Sequence, residues 1–260
     1  MILDQRKRVI ALVVAALSSF ASPLGAQCPP RPPPPVVAGC RRDRVELMDE
    51  ATSCAQPDRR DSHCSAPEWK DPYTLIKDRD LQHKSDSYLI IPTARVAGIE
   101  DCQIFLGTYD NLWIDGWHSS HNLGKHTERT GLAINSCHNR TEDQLHIHLS
   151  CVHSWVIAQL SSIQDYPIFT PLPLIKGHNY EATRVDGLTG EKNPFKVIQK
   201  KECADKAGTD LSACMANQSI AVIEDAEHAN HYYVLNTSYA ESDTRTGHAE
   251  ELLDQNCPAR

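Results

Sequence analysis

The sequence predicts an α+β domain built on an antiparallel sheet, and three observations carry that expectation. Apolar and polar residues alternate in "TGLAINS" and "QLHIHLSCV", which flank the polar turn "CHNRTED" and so read as a hairpin. A second pair, "SIAVIED" and "HYYVLNTS", is separated by the turn "AEHAN". Segments with helical spacing lie between these hairpins, which indicates an α+β arrangement.

The elements follow in order. "MILDQRKRVIALVVAALSSFASPLGAQC" has a basic start at Arg6, Lys7 and Arg8, an apolar centre from Val9 to Leu17 and small residues after it, the pattern of a secretory signal. Residues 1–26 are therefore expected to be a signal peptide, or an uncleaved anchor, and cleavage after Ala21 or Ala26 fits. Residues 27–42, "CPPRPPPPVVAGC" with its flanks, form a proline-rich tether that favours an extended chain. The domain itself is expected over 43–260, with no internal repeat. It opens with a short amphipathic helix in "DRVELMDEATS" and a strand in "SDSYLIIPTARV" that ends at Pro92. A helix broken near Gly124 is expected between Asn111 and Arg129. Another, capped by Ser154, should run through Trp155, Ile157, Leu160 and Ile163. "HNYEATRV" reads as a strand, and "NPFKVIQKK" as a helix capped by Asn193 with Pro194 in its first turn.

Composition narrows the function. There are ten cysteines, all after position 26, an even number with no C-x-x-C pair, which points to disulfides in an oxidising compartment and away from zinc. Short intervals suit local bridges Cys28–Cys40, Cys54–Cys64 and Cys203–Cys214, leaving Cys102, Cys137, Cys151 and Cys257 for longer-range pairing. Losing residues 1–26 removes three basic residues and Asp4, taking the formal charge from -8 to -10, so a nucleic-acid partner is not expected. N-x-[ST] sequons occur at Asn139, Asn217 and Asn236.

The chemistry centres on "DQLHIHLSC". In a strand, Leu145, Ile147, Leu149 and Cys151 share one face, and Gln144, His146, His148 and Ser150 share the other. Imidazole titrates near 6.5, so roughly three quarters of a free histidine is neutral at pH 7 and its ring nitrogen can attack phosphorus. The second ring, about 7 Å further along, can donate to a phosphoryl or leaving oxygen. A further group, Lys176, His178, Tyr180 and Arg184, offers donors to a charged diphosphate, with the last three on one face if "HNYEATRV" is extended. Competing readings are satisfied structural histidines, a metal site at His118 and His121 in "HSSH", and a two-histidine phosphoesterase using "HSS" and "HLS". Trp113 and Trp117 read as core.

The row Gln144, His146, His148, Ser150 resembles the histidine-triad motif, and "LAINS" with Asn135 followed by a polar turn resembles that superfamily's nucleotide-binding hairpin. More narrowly, "YLIIPTARVAGIED", "LAINSCHNRTEDQLHIHLSC" and "GHNYEATRV" are similar to the CDP-diacylglycerol pyrophosphatase family, from about Cys54 to Ile198 with an echo at Cys257. The resemblance implies a histidine-triad-like sheet with flanking helices and no cofactor. It makes His146 the nucleophile on the cytidylyl phosphorus and gives His148 the phosphoryl or leaving-group oxygens. Asn135 then binds phosphate or sugar, and Gln144, which replaces a histidine, orients its neighbours by hydrogen bonding. A nucleotide-linked phospholipid substrate implies peripheral contact with a membrane, at or near the periplasmic face of an inner membrane. The alternatives are a hydrolase of soluble nucleotide diphosphates or dinucleotides, and a non-catalytic, disulfide-braced binding protein.

Overall fold

The computed structural model describes residues 40, 44–56, 58, 64, 73–78, 84, 86–122, 130–173, 175–240 and 247–257. The expected signal segment, and all of the proline-rich tether except Cys40, lie outside the described residues. The chain runs α1 (Glu46–Ala55), β1 (Tyr73–Lys77), β2 (Tyr88–Pro92), α2 (Cys102–Phe105), α3 (Leu112–Asn122), β3 (Thr130–Ile134), β4 (Ile147–Val152), α4 (Ser154–Ile157), β5 (Thr170–Pro171), β6 (Glu181–Val185), α5 (Pro194–Glu202), α6 (Gly208–Ala216), β7 (Gln218–Glu224), β8 (Tyr232–Ser238) and β9 (Leu253–Asp254). The strands form one antiparallel sheet in the order β1-β2-β4-β3-β7-β8-β6-β5, and β9 also pairs with β4. An α+β fold is the result. Among the described residues, no helix is long and apolar enough to cross a membrane.

Side-chain alternation divides the core between the two faces of the sheet. On one face, Ile90, Leu132, Leu149, Val222 and Val234 pack with Trp113, Trp117 and Phe195 in the largest apolar cluster. Close approach of α3 depends on Gly116, where a Cβ would stand 2.5 Å from Ile90 Cδ1. On this face α5 starts as the sequence predicts: the buried Asn193 side chain accepts from Phe195 N at 2.8 Å and donates to Asp110 O at 2.8 Å.

The opposite face is not continuous. Register places Ile76, Leu89, His148, Ala133, Ala221, Leu235 and Ala182 in one row across six interior strands and β1. Ile76 and Leu89 belong to a small cluster under α1, while Ala133, Ala221, Leu235 and Ala182 belong to a larger one under α4 and the C-terminal segment. His148 stands where the two oily patches meet. The alanines beside it leave depth above the sheet, and the 3-10 turn Ala249–Leu252 fills that depth.

Several local expectations are corrected. The strand begins at Ile147, so Gln144 to His146 is irregular chain leading into it. The helix after His153 stops at Ile157 and resumes only as a 3-10 turn at Leu160–Ser162. Ser161 and Ser162 are poor helix formers; Leu160 and Ile163 are buried as the spacing implied, but Trp155 is exposed, Ile157 is half-buried and Val156 is the buried residue of that turn. "HNYEATRV" is extended only from Glu181, because Lys176 (φ 50) and Gly177 (φ 88) make a tight turn closed by mutual backbone hydrogen bonds between Ile175 and His178. Cys54–Cys64 and Cys203–Cys214 pair locally and Cys151–Cys257 spans the chain, as expected. Cys40, however, pairs with Cys137 rather than Cys28, and Cys102 is also disulfide-bonded. A run of prolines is a stiff chain with which to close a short loop.

Candidate active site

The site is assembled at the entry to β4. Leu145 N donates to Val96 O at 2.6 Å, fixing the chain just before the strand. The side chain of Gln144 locks the same junction from the other side. Its Nε2 donates to Pro92 O and Ala94 O at 3.0 and 2.9 Å, and its Oε1 accepts from Val96 N at 3.3 Å. Gln144 thus braces the 92–96 segment with its amide, whose hydrogen bonds to described residues do not include the histidine rings. The contact it makes with a histidine comes from its main chain: His146 Nδ1 lies 2.7 Å from Gln144 O.

That one contact sets the tautomer of His146. A carbonyl oxygen only accepts, so Nδ1 carries the proton and Nε2 keeps its lone pair. Burial lowers the pKa of His146 against the opposing pull of the Gln144 carbonyl and Glu250, which favours the neutral ring. His148 stands edge-on to it, with ring centroids 5.0 Å apart. Burial pushes His148 down to about 4 although the Glu250 carboxylate pulls the other way. Neither of its ring nitrogens has a hydrogen-bond partner among the described residues; Nδ1 lies 3.4 Å from Glu250 Oε1, close but not aligned as a hydrogen bond.

The expected open polar row is covered: His146 and His148 are 7% and 6% exposed. What covers them is chiefly polar. Glu250, from the C-terminal 3-10 turn, is held by Lys84 Nζ at 2.8 Å, by Gln255 Nε2 and by Asn135 Nδ2 at 3.1 Å, while its own backbone N–H donates to Asn135 Oδ1 at 3.0 Å. Burial alone would raise this carboxyl, but His148, His248 and Lys84 together hold it well below the usual carboxylate range. Beside His146, a small cleft is lined by Gly98, Asn135, Arg140 and Gln144 among others. Arg140 is fixed there by Glu100 (2.6 and 2.8 Å) and by Asp143 (3.0 Å), all buried.

The remaining sequence candidates divide. Asn135 is at the site, with its amide given to Glu250. Ser150 shares the histidine face, but its hydroxyl lies 3.0 Å from both Asp86 O and Asp254 O, joining β4 to the two segments that share its edge. Lys176, His178 and Tyr180 converge on Glu251, next to Glu250: Lys176 Nζ meets Glu251 O at 3.3 Å, and His178 Nδ1 and Tyr180 OH meet Glu251 Oε1 at 2.6 and 2.5 Å. They clamp the outer side of the terminal turn. Arg184 is elsewhere. It lies on β6, four strands from β4 or about 19 Å at ordinary spacing, where Asp165 (2.6 Å) and Asp225 (3.2 Å) engage its guanidinium. The expected group of four is therefore split between Tyr180 and Arg184, the first three residues meeting Glu251 and Arg184 meeting Asp165 and Asp225 further along β6. Trp113 and Trp117 are core, and α3 packs on the face opposite the histidines, not beside them. His118 is on the exposed side of α3.

Sequence reasoning missed Glu250, Lys84, Arg140 and Gly98. One signal could have found the first: Cys151 lies on the histidine strand, and its disulfide to Cys257 brings "HAEELLDQNC" to that strand.

A sequence model of the family described as CDP-diacylglycerol pyrophosphatase matches residues 47–260. A probable CDP-diacylglycerol pyrophosphatase of Mycobacterium leprae (strain TN) is 29% identical over 270 residues, covering 97% of this chain and 94% of that protein. A CDP-diacylglycerol pyrophosphatase of Yersinia pestis is 36% identical over 138 residues, covering 48% of this chain and 52% of its own length. The matched span takes in His146 and His148, their cleft and the terminal turn that bears Glu250, and the chain belongs to the CDP-diacylglycerol pyrophosphatase family.

Proposed function

We propose that the protein hydrolyses CDP-diacylglycerol to CMP and phosphatidate by double displacement on a histidine-triad-like site, with His146 as nucleophile. The observation that carries this reading is the hydrogen bond between His146 Nδ1 and Gln144 O, which leaves Nε2 deprotonated without any helper base. Nε2 attacks the cytidylyl phosphorus, the bond from that phosphorus to the bridging oxygen breaks, and phosphatidate departs. Water then attacks the same phosphorus, the P–N bond breaks with its electron pair returning to Nε2, and CMP is released. His148 faces the reacting phosphate group: a buried imidazole with both nitrogens unpaired among the described residues is costly unless a bound reactant completes it.

Family membership supplies the substrate, and the relatives named above carry that activity in their names. The disulfides fit an oxidising, exported setting. We place the protein at the periplasmic face of a membrane, since its substrate resides in a bilayer. The deciding experiment is acid-labile trapping with cytidine-labelled CDP-diacylglycerol, followed by mapping of the labelled peptide. Label on His146 is expected; label elsewhere, or a fully active His146→Ala variant, overturns the assignment. Parallel assays with CDP-alcohols and dinucleoside polyphosphates test the lipid preference.

A further inference from the structure

The carboxylate beside His148 is built with more care than a surface ion pair needs. Glu250 enters the site on a short 3-10 turn whose position is fixed three ways: β9 pairs with β4 through Cys151–Asp254 and Val152–Leu253, Cys257 is bonded to Cys151, and Asn135 holds both the side chain and the backbone N–H of Glu250. Lys84 and Gln255 take Oε1 from the far side. All of this keeps one carboxylate oxygen 3.4 Å from His148 Nδ1, in a site where neither ring nitrogen has a hydrogen-bond partner among the described residues.

We propose that Glu250 and His148 form a dyad that activates the water in the second half of the reaction, with Glu250 as the positioning residue and His148 as the base. This deepens the function proposed above and rests on its covalent intermediate. With Nδ1–H turned toward Glu250, His148 presents Nε2 as the acceptor on the remaining side of the ring. As water attacks the phosphorus of the cytidylyl–His146 intermediate, its proton passes to His148 Nε2. The P–N bond breaks toward His146, and the imidazolium of His148 faces the Glu250 carboxylate until the proton is returned to solvent.

The first half of the reaction does not call on this dyad. Phosphatidate leaves as a phosphate ester, a stable anion that needs no proton to depart, and Nε2 of His146 attacks without deprotonation. Water is the reactant that must lose a proton as it attacks. A His148 ring kept neutral by burial is free to take that proton, and a neighbouring carboxylate stabilises the cation that results. The 3.4 Å separation is long for a hydrogen bond, as catalytic contacts often are before the reacting group is present.

The test is a rapid-quench measurement on the full, disulfide-bonded chain carrying Glu250→Gln. Phosphatidate should appear in a burst of about one per site at a rate within a few-fold of the parent. The cytidylyl–His146 adduct should then persist on the order of 100-fold longer, the usual scale for losing general-base help. Fluoride, an anionic nucleophile with no proton to lose, should restore turnover and release cytidine 5'-phosphorofluoridate. Glu250→Asp, which keeps the charge on a shorter stem, should give an intermediate lifetime and serves as the readout if the glutamine variant fails to fold. An adduct with unchanged lifetime in both variants, or a burst slowed as much as turnover, overturns the dyad and leaves the nucleophile standing. Absence of any His146 adduct in the parent and variants overturns both.

Discussion

Cys151 and Cys257 are joined across a sequence separation of 106, and the bond holds the turn that carries Glu250 against the strand that carries His148. A cross-link closing a loop of that size removes a large amount of freedom from the unfolded chain, worth about 4 to 5 kcal/mol in the loop-entropy account. Here it also fixes the site, because β9 has only two residues with which to pair.

Replacing both cysteines by alanine should therefore lower stability by several kcal/mol, about 4 on that account, and reduce activity beyond the loss of folded protein. Urea titration and kcat measured well below the unfolding midpoint separate the two effects. A double variant with the parent's kcat would show that the terminal turn stays in place without the cross-link.

Gly98 makes a different prediction. A Cβ there would stand 1.9 Å from Arg140 Nη1, and that guanidinium cannot retreat because Glu100 and Asp143 grip it on buried hydrogen bonds. Gly98→Ala should cost about 1–3 kcal/mol from overpacking and should distort the cleft beside His146. The expected kinetic signature is a raised KM with a smaller change in kcat. A variant with parental stability would mean that the Arg140 cluster has slack that its contacts do not suggest.

These residues mark where the sequence was legible and where it was not. Hairpins, the capped α5 and the core tryptophans follow from periodicity and local chemistry, which act over a few residues. The histidine pair was visible because two titrating rings on one strand are unusual. Glu250 and Lys84 were invisible because they reach the strand from distant parts of the sequence, through β9 and through the segment before β2, and no local pattern encodes such a meeting. Arg184 misled for the reverse reason: local alternation put it on the right face of the sheet, but strand order put it four strands away.

That misplacement is itself testable. With its charge engaged by Asp165 and Asp225, Arg184 has no path to a substrate held at β4. Arg184→Ala should leave kcat/KM for CDP-diacylglycerol within about twofold of the parent. Any loss should appear as stability, and only modestly, because one of its two ion-pair partners is largely exposed. A hundredfold loss in kcat/KM would instead return Arg184 to the substrate site.

The buried histidines also set a pH dependence of stability. His148 is held down to about 4 by burial, facing Glu250, His146, Lys84 and Asp78, whereas in the unfolded chain it titrates near 6.5. Between those values the unfolded state binds a proton that the folded state refuses, so stability must rise with pH across that window. The folded-state advantage is complete above about 6.5 and is lost as pH falls toward 4, for a change of about 3 kcal/mol from this ring at 1.36 kcal/mol per unit. The lowered pKa of His146 acts in the same direction, and the low carboxyl of Glu250 extends the loss below the ordinary carboxylate range. Urea midpoints measured from pH 4 to 7 should climb steadily, and His148→Gln, which cannot titrate, should flatten the lower part of the curve. A parent protein equally stable at pH 4 and pH 7 would mean that His148 takes up its proton in the folded state as readily as in water.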